Sequence, residues 1–125
     1  MAIGTFEVEL TPVEGELDGA VARIDLAKDF YGDLDGAGRG LMLSAGDPGS
    51  GSAGYVAIET FAGNLAGREG SFALQQFGTM HGGTQTLRYE VVPGSGRDGL
   101  EGITGALELT IEDDGTHRYA LEYEL

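Results

Sequence analysis

The chain has no cysteine and no tryptophan, and only two histidines and three prolines among its 125 residues. Without cysteine there is no thiol nucleophile, no thiolate metal site and no disulfide, a pattern that fits a reducing compartment. Long apolar runs are missing as well. No window approaches the ~20 residues a helix needs to cross a bilayer. The opening Met1-Ala2-Ile3-Gly4-Thr5-Phe6 has no basic leader and no apolar stretch behind it. A cytoplasmic location is the expectation. Positive charge is also scarce: the single lysine, Lys28, and six arginines stand against 21 acidic residues, for a net charge of −14. Nucleic acid and anionic membrane surfaces draw much of their affinity from cationic groups, so both are poor partners for this chain. The acidity itself serves solubility.

What is abundant is glycine. Its 23 copies show no three-residue period, so they mark tight turns rather than a collagen-like chain. At this length residues 1–125 form one domain, large enough to bury about two thirds of its unfolded surface without a metal or disulfide staple. Alternating segments run over 5–10, 20–30, 40–45, 53–61, 71–79, 86–92, 106–112 and 117–124. Turn-rich pieces separate them: 12–19, 46–51, 81–83, 93–105 and 113–115, with Asp114-Gly115 a hairpin signal. No window has a helical period. The expected fold is all-β, a single antiparallel eight-stranded up-and-down barrel, which holds either packed side chains or one small ligand.

A short signature recurs three times: Leu34-Asp35-Gly36 with Gly40, Leu65-Ala66-Gly67 with Gly70, and Leu100-Glu101-Gly102 with Gly105. Read as strand-to-strand connections, the copies fall on one rim of an up-and-down barrel, with the three leucines tucked in as a plug. The other rim is then the candidate mouth. The end strands alternate cleanly, with Phe6, Val8 and Leu10 against Glu7 and Glu9, and so have a wet outer side. The third to fifth strands are apolar on both faces, as at Leu41-Met42-Leu43 and around Val56, Ile58 and Phe77. Their outer face is expected to meet another subunit, making the protein a homo-oligomer through these strands.

Two charges interrupt apolar faces. Lys28 shares parity with Ile24, Leu26 and Phe30, and Glu59 with Tyr55, Ala57 and Phe61. A charge in such a place must be paired or change its protonation, so the two are candidate ligand-binding residues or a structural ion pair. Gln75 and Gln76 adjoin, so one amide points inward, where it can orient a ligand carbonyl or hydroxyl. Tyr55 offers a phenol on the same face as Glu59. The candidate ligand-binding set is therefore Lys28, Tyr55, Glu59, Gln75 and Gln76, facing an apolar or amphipathic small molecule. No catalytic residue is assigned. Asp33 and Asp35 flank Leu34, but Asp35-Gly36-Ala37 lacks the hydroxyl residue of an aspartic-peptidase motif, and a turn role is favoured. His81 and His117, with Asp47, Asp113 and Asp114 in neighbouring mouth loops, have no metal-ligand spacing, so no metal and no cofactor is expected. The 46–54 stretch lacks the Gly-Lys-Ser/Thr ending of a phosphate loop. No serine has the histidine pattern of a nucleophilic triad.

Several runs resemble one bacterial family, the domain-of-unknown-function 3224 family. They include Gly4-Thr5-Phe6-Glu7-Val8, Lys28-Asp29-Phe30-Tyr31-Gly32-Asp33-Leu34, Gly51-Ser52-Ala53-Gly54-Tyr55-Val56-Ala57-Ile58-Glu59, Gly67-Arg68-Glu69-Gly70-Ser71-Phe72 and Val91-Val92-Pro93-Gly94-Ser95-Gly96. They follow in order along nearly the whole chain. The family is similar in fold to allene oxide cyclase, a small oligomeric β-barrel that binds an oxidised fatty acid, so the resemblance implies a barrel and a cyclase-like or isomerase-like precedent. It also carries a suggestion of acid-peptidase activity. The family pattern has a glutamate at the position of Leu41 and a histidine at that of Gln76. Any acid/base pair built from those two is absent here. A filled, non-catalytic oligomeric barrel stands as the alternative to ligand binding.

Overall fold

The computed structural model describes residues 1–14 and 20–125. Among the described residues nine strands follow in order: β1 (Ala2–Val13), β2 (Val21–Gly32), β3 (Leu34–Asp47), β4 (Ser52–Leu65), β5 (Arg68–His81), β6 (Thr84–Val91), β7 (Arg97–Asp98), β8 (Thr104–Ile111) and β9 (His117–Glu124). A single 3-10 turn, Pro48–Ser50, joins β3 to β4. Neighbours run β4-β3-β2-β1-β9-β8-β6-β5, and β5 returns to pair with β4, which closes an antiparallel barrel of eight strands. Apart from the closing β1–β9 pair, each strand of the barrel lies beside its neighbours in sequence, as expected of an up-and-down order. The short β7 is an addition, formed inside the expected 93–105 turn and paired with the start of β5. The expected 12–19 turn begins later than its first residues, because β1 runs through Pro12 and Val13; residues 15–19 lie outside those described.

β3 starts six residues earlier than the alternation predicts. Its glycines at 36, 38 and 40 are strand residues, registered against Phe30, Lys28 and Leu26 of β2. Extended glycine is weak alone, but here the ladders to β2 and β4 hold it, the β4 backbone closes over Gly36 and Gly40, and Phe30 and Glu59 fill the space above Gly38. This corrects the reading of the three Leu-x-Gly copies as equivalent turns. Leu34 opens β3, Leu65 ends β4, and Leu100 lies in the β7–β8 connection. Only the second copy is a tight hairpin, with Ala66 (φ 49°) and Gly67 (φ 89°) both left-handed, as a two-residue turn between twisted strands requires.

The plug itself is present. Leu34, Leu65 and Leu100 are each at most 1% exposed and belong to one core cluster. Leu34 and Leu65 are ladder partners, and Leu100 packs beside Gly70 at the same end. Above them Phe6, Phe30, Phe61 and Phe72 form a chain of rings with successive centroids 5.3–5.4 Å apart. The opposite end is open. There the inward-facing positions of the strands hold exposed apolar side chains, Leu10, Leu87 and Ile111 among them, and half-buried Met42 and Tyr55.

Candidate functional site

Between the aromatic plug and the open end lies a polar cluster. Alternation along β2 turns Leu26, Lys28 and Phe30 inward, and along β4 it turns Ala57, Glu59 and Phe61 inward, so both charges are carried into the core by strand period alone. β3 separates the two strands. It places Gly38 opposite Lys28 and Gly40 opposite Glu59. With no side chain from either glycine in the way, Lys28 reaches across β3 and its Nζ lies 2.9 Å from Glu59 Oε1. A methyl group at Gly38 would lie 3.2 Å from Glu59 Oε2 and 3.1 Å from the Phe30 ring. The glycine is therefore part of the site.

Glu59 Oε1 accepts three hydrogen bonds: from Lys28, from the Tyr89 hydroxyl and, at 3.3 Å, from Gln76 Nε2. The same Tyr89 hydroxyl accepts from Lys28 Nζ at 2.7 Å. Tyr55 donates to Gln76 Oε1 at 2.7 Å, extending the chain towards the open end. Glu59 Oε2 is different. It is buried and has no partner.

The surroundings set the charges. Burial pushes the Lys28 ammonium below its ordinary pKa, against the opposing pull of Glu59. Its Nζ also lies 4.5 Å from the centre of the Phe6 ring and 5.0 Å from that of Tyr89, faces that favour a cation. Burial first, and then the neighbouring Glu59, holds the Tyr89 phenol well above its usual range. The same two causes raise Tyr55. Tyr89 is thus a protonated donor at any physiological pH. The cluster as a whole offers one unfilled carboxylate oxygen, with a lysine and a phenol beside it.

Of the sequence-derived candidates, four meet here: Lys28, Tyr55, Glu59 and Gln76. Gln75 does not join them, because strand alternation turns it to the outer face, where it is exposed. There it lines a groove of about 560 Å³ on the outside of the barrel, with Leu41, Ile58, Phe77, Arg88 and Glu90. Gln76 also borders this groove, whereas Lys28 and Glu59 do not. Tyr89 is the member that motif reading missed. Its signal was parity: it alternates with Arg88 and Glu90 and shares a face with Val91.

The remaining candidates have local roles. Asp33 Oδ2 accepts from the Ile3 amide, and Asp35 is exposed. His117 packs against the Phe6 ring, with centroids 5.1 Å apart. Among the described residues no group of histidines and carboxylates is placed to hold a metal ion, and no helix is long and apolar enough to cross a membrane.

Comparison with known proteins fits this architecture. The family model of a protein of unknown function, DUF3224, matches residues 2–123. The chain belongs to the DUF3224 family. The crystal structure of a DUF3224 family protein with unknown function from Shewanella oneidensis MR-1 is similar to it at 45% sequence identity, with a TM-score of 0.90. The similarity covers 98% of this chain and 94% of that one. No curated protein matches the chain. Membership in DUF3224 thus supports the barrel, and any function has to be argued from the site.

Proposed function

We propose that this DUF3224 protein binds an apolar or amphipathic small molecule in its barrel, with the polar head of the ligand held at the Glu59 cluster. One observation carries the reading: Glu59 Oε2 is buried without a hydrogen-bond donor, and it faces Gly38, which brings no side chain to it. A buried carboxylate oxygen left unpaired is costly, and a donor brought by a ligand would remove that cost. The half-buried and exposed apolar side chains at the open end suit the tail of such a molecule. With a net charge of −14 and a carboxylate at the focus, a hydroxyl or amine head suits the site better than an anionic one. A cyclase or isomerase reaction on such a ligand would use Tyr89 and Lys28 as its proton donors. The acid-peptidase suggestion finds no support in Asp33, which is taken up by the Ile3 amide.

The second reading, a structural barrel, is favoured by the mutual pairing of Lys28, Glu59 and Tyr89. Calorimetric titration with dodecanol, dodecylamine and dodecanoate separates the two. Binding of the alcohol or amine in preference to the acid, lost on Gly38→Ala and weakened about tenfold by Glu59→Gln, is the expected result. No binding of any of the three, together with native mass spectrometry showing no retained small molecule, leaves the structural reading.

A further inference from the structure

The outer face of the barrel carries a pattern that the interior does not use. Ladder register aligns outward side chains into two rows running across the strands. One row reads Asp25, Leu41, Ile58, Gln75 and Glu90 from β2 to β6. The next reads Arg23, Leu43, Val56, Phe77 and Arg88. Apart from Gln75 the middle of both rows is apolar, and Ile58 and Phe77 are each 58% exposed. At the β6 end the rows carry opposite charges side by side, Glu90 in the first and Arg88 in the second, and both border the outer groove, whereas Asp25 and Arg23 of β2 lie on the far side of the barrel. Within one chain the ends already pair along their strands, Arg88 with Glu90 at 2.8 Å and Arg23 with Asp25 at 4.0 Å.

We propose that a second copy of this chain covers this face, related by a two-fold axis that lies between the rows and runs perpendicular to the strands. The charge pattern selects that axis. A rotation about it lays the first row of one copy on the second row of the other, so that Arg88 meets the partner's Glu90. Ile58 then meets the partner's Val56. A two-fold axis parallel to the strands instead turns Arg88 and Glu90 towards the partner's β3, where Leu41 and Leu43 offer no charge to pair with. Exposed apolar side chains in the centre with charges at the margin is the usual anatomy of a protein interface. Because the contact is isologous, one substitution acts twice in the dimer.

Sedimentation velocity on the purified protein tests this. The wild-type chain is expected to be a dimer at micromolar concentration. Ile58→Asp, at an exposed position that leaves the core intact, is expected to weaken it at least tenfold with an unchanged circular dichroism spectrum. Arg88→Glu and Glu90→Arg are each expected to weaken self-association. An equimolar mixture of those two variants is expected to form a heterodimer, since one chain then presents only carboxylates at positions 88 and 90 and the other only guanidinium groups across the axis. A wild-type monomer at millimolar concentration, or a trimer, overturns the proposal. So does a mixture no better associated than its components, which would show that positions 88 and 90 do not meet across the interface.

Discussion

Lys28 and Glu59 lie 31 positions apart in the chain and 2.9 Å apart in the barrel, joined across the side-chain-free glycines of β3. Each is buried, at 5% and 1% side-chain exposure, so neither charge has water to fall back on. Such a pair is worth less to stability than its Coulomb attraction suggests, because both groups lose their hydration. What it does is make each residue depend on the other.

Removing one partner should therefore be far worse than removing both. Lys28→Met or Glu59→Leu alone is expected to cost about 3–5 kcal/mol in denaturant unfolding, because the remaining charge is left buried and unpaired. The double variant is expected to recover most of that loss. If the double variant is as unstable as the sum of the singles, the two do not act as a pair.

Tyr89 sets an alkaline limit. Its phenol is held well above the usual value near 10 in the folded chain, chiefly by burial, and returns to the ordinary value on unfolding. Between those two values the native state keeps a proton that the unfolded chain has lost, so stability is present below pH 10 and falls as pH rises above it. One such group contributes a slope of up to about 1.4 kcal/mol per pH unit. Urea midpoints between pH 9 and 12 should fall less steeply in Tyr89→Phe than in the wild type. Equal slopes would mean that Tyr89 ionises in the folded barrel.

The closed end should be the stable end. Leu34→Ala, Leu65→Ala and Leu100→Ala each empty a fully buried position and are expected to cost about 2–5 kcal/mol. Tyr119 also belongs to this end. Its hydroxyl accepts from the Leu34 amide at 2.8 Å and donates to the Tyr31 carbonyl at 2.9 Å, tying β9 to the β2–β3 junction. Tyr119→Phe leaves that buried amide unpartnered, at about 1–3 kcal/mol. Hydrogen exchange should show slowed amides here and faster ones towards Leu10 and Ile111. Uniform protection along the strands would contradict a barrel closed at one end only.

Strand alternation needs nothing but the order of residues along the chain, and it was enough to place Phe6, Phe30 and Phe61 inside. It also drew Lys28 and Glu59 in with them and left the glutamates of β1 outside. The buried ends of the Leu-x-Gly copies were legible for the same reason, since a leucine beside a turn has little else to do than close a core. A period of two names the face of a residue and never its partner across the sheet. Gln76 shares the face of Phe72 and Leu74, so alternation along β5 puts it inside and Gln75 outside, but its partners Tyr55 and Glu59 on β4 depended on register. That the β3 glycines are strand rather than turn depended on the ladders to β2 and β4, with Phe30, Lys28 and Glu59 filling the space above Gly38. Tyr89 joined the cluster only because closure of the barrel brought β6 across the lumen from β2. The unpartnered oxygen of Glu59 and the two charged rows of the outer face exist only after eight strands have settled into register, because each is a relation between residues on different strands.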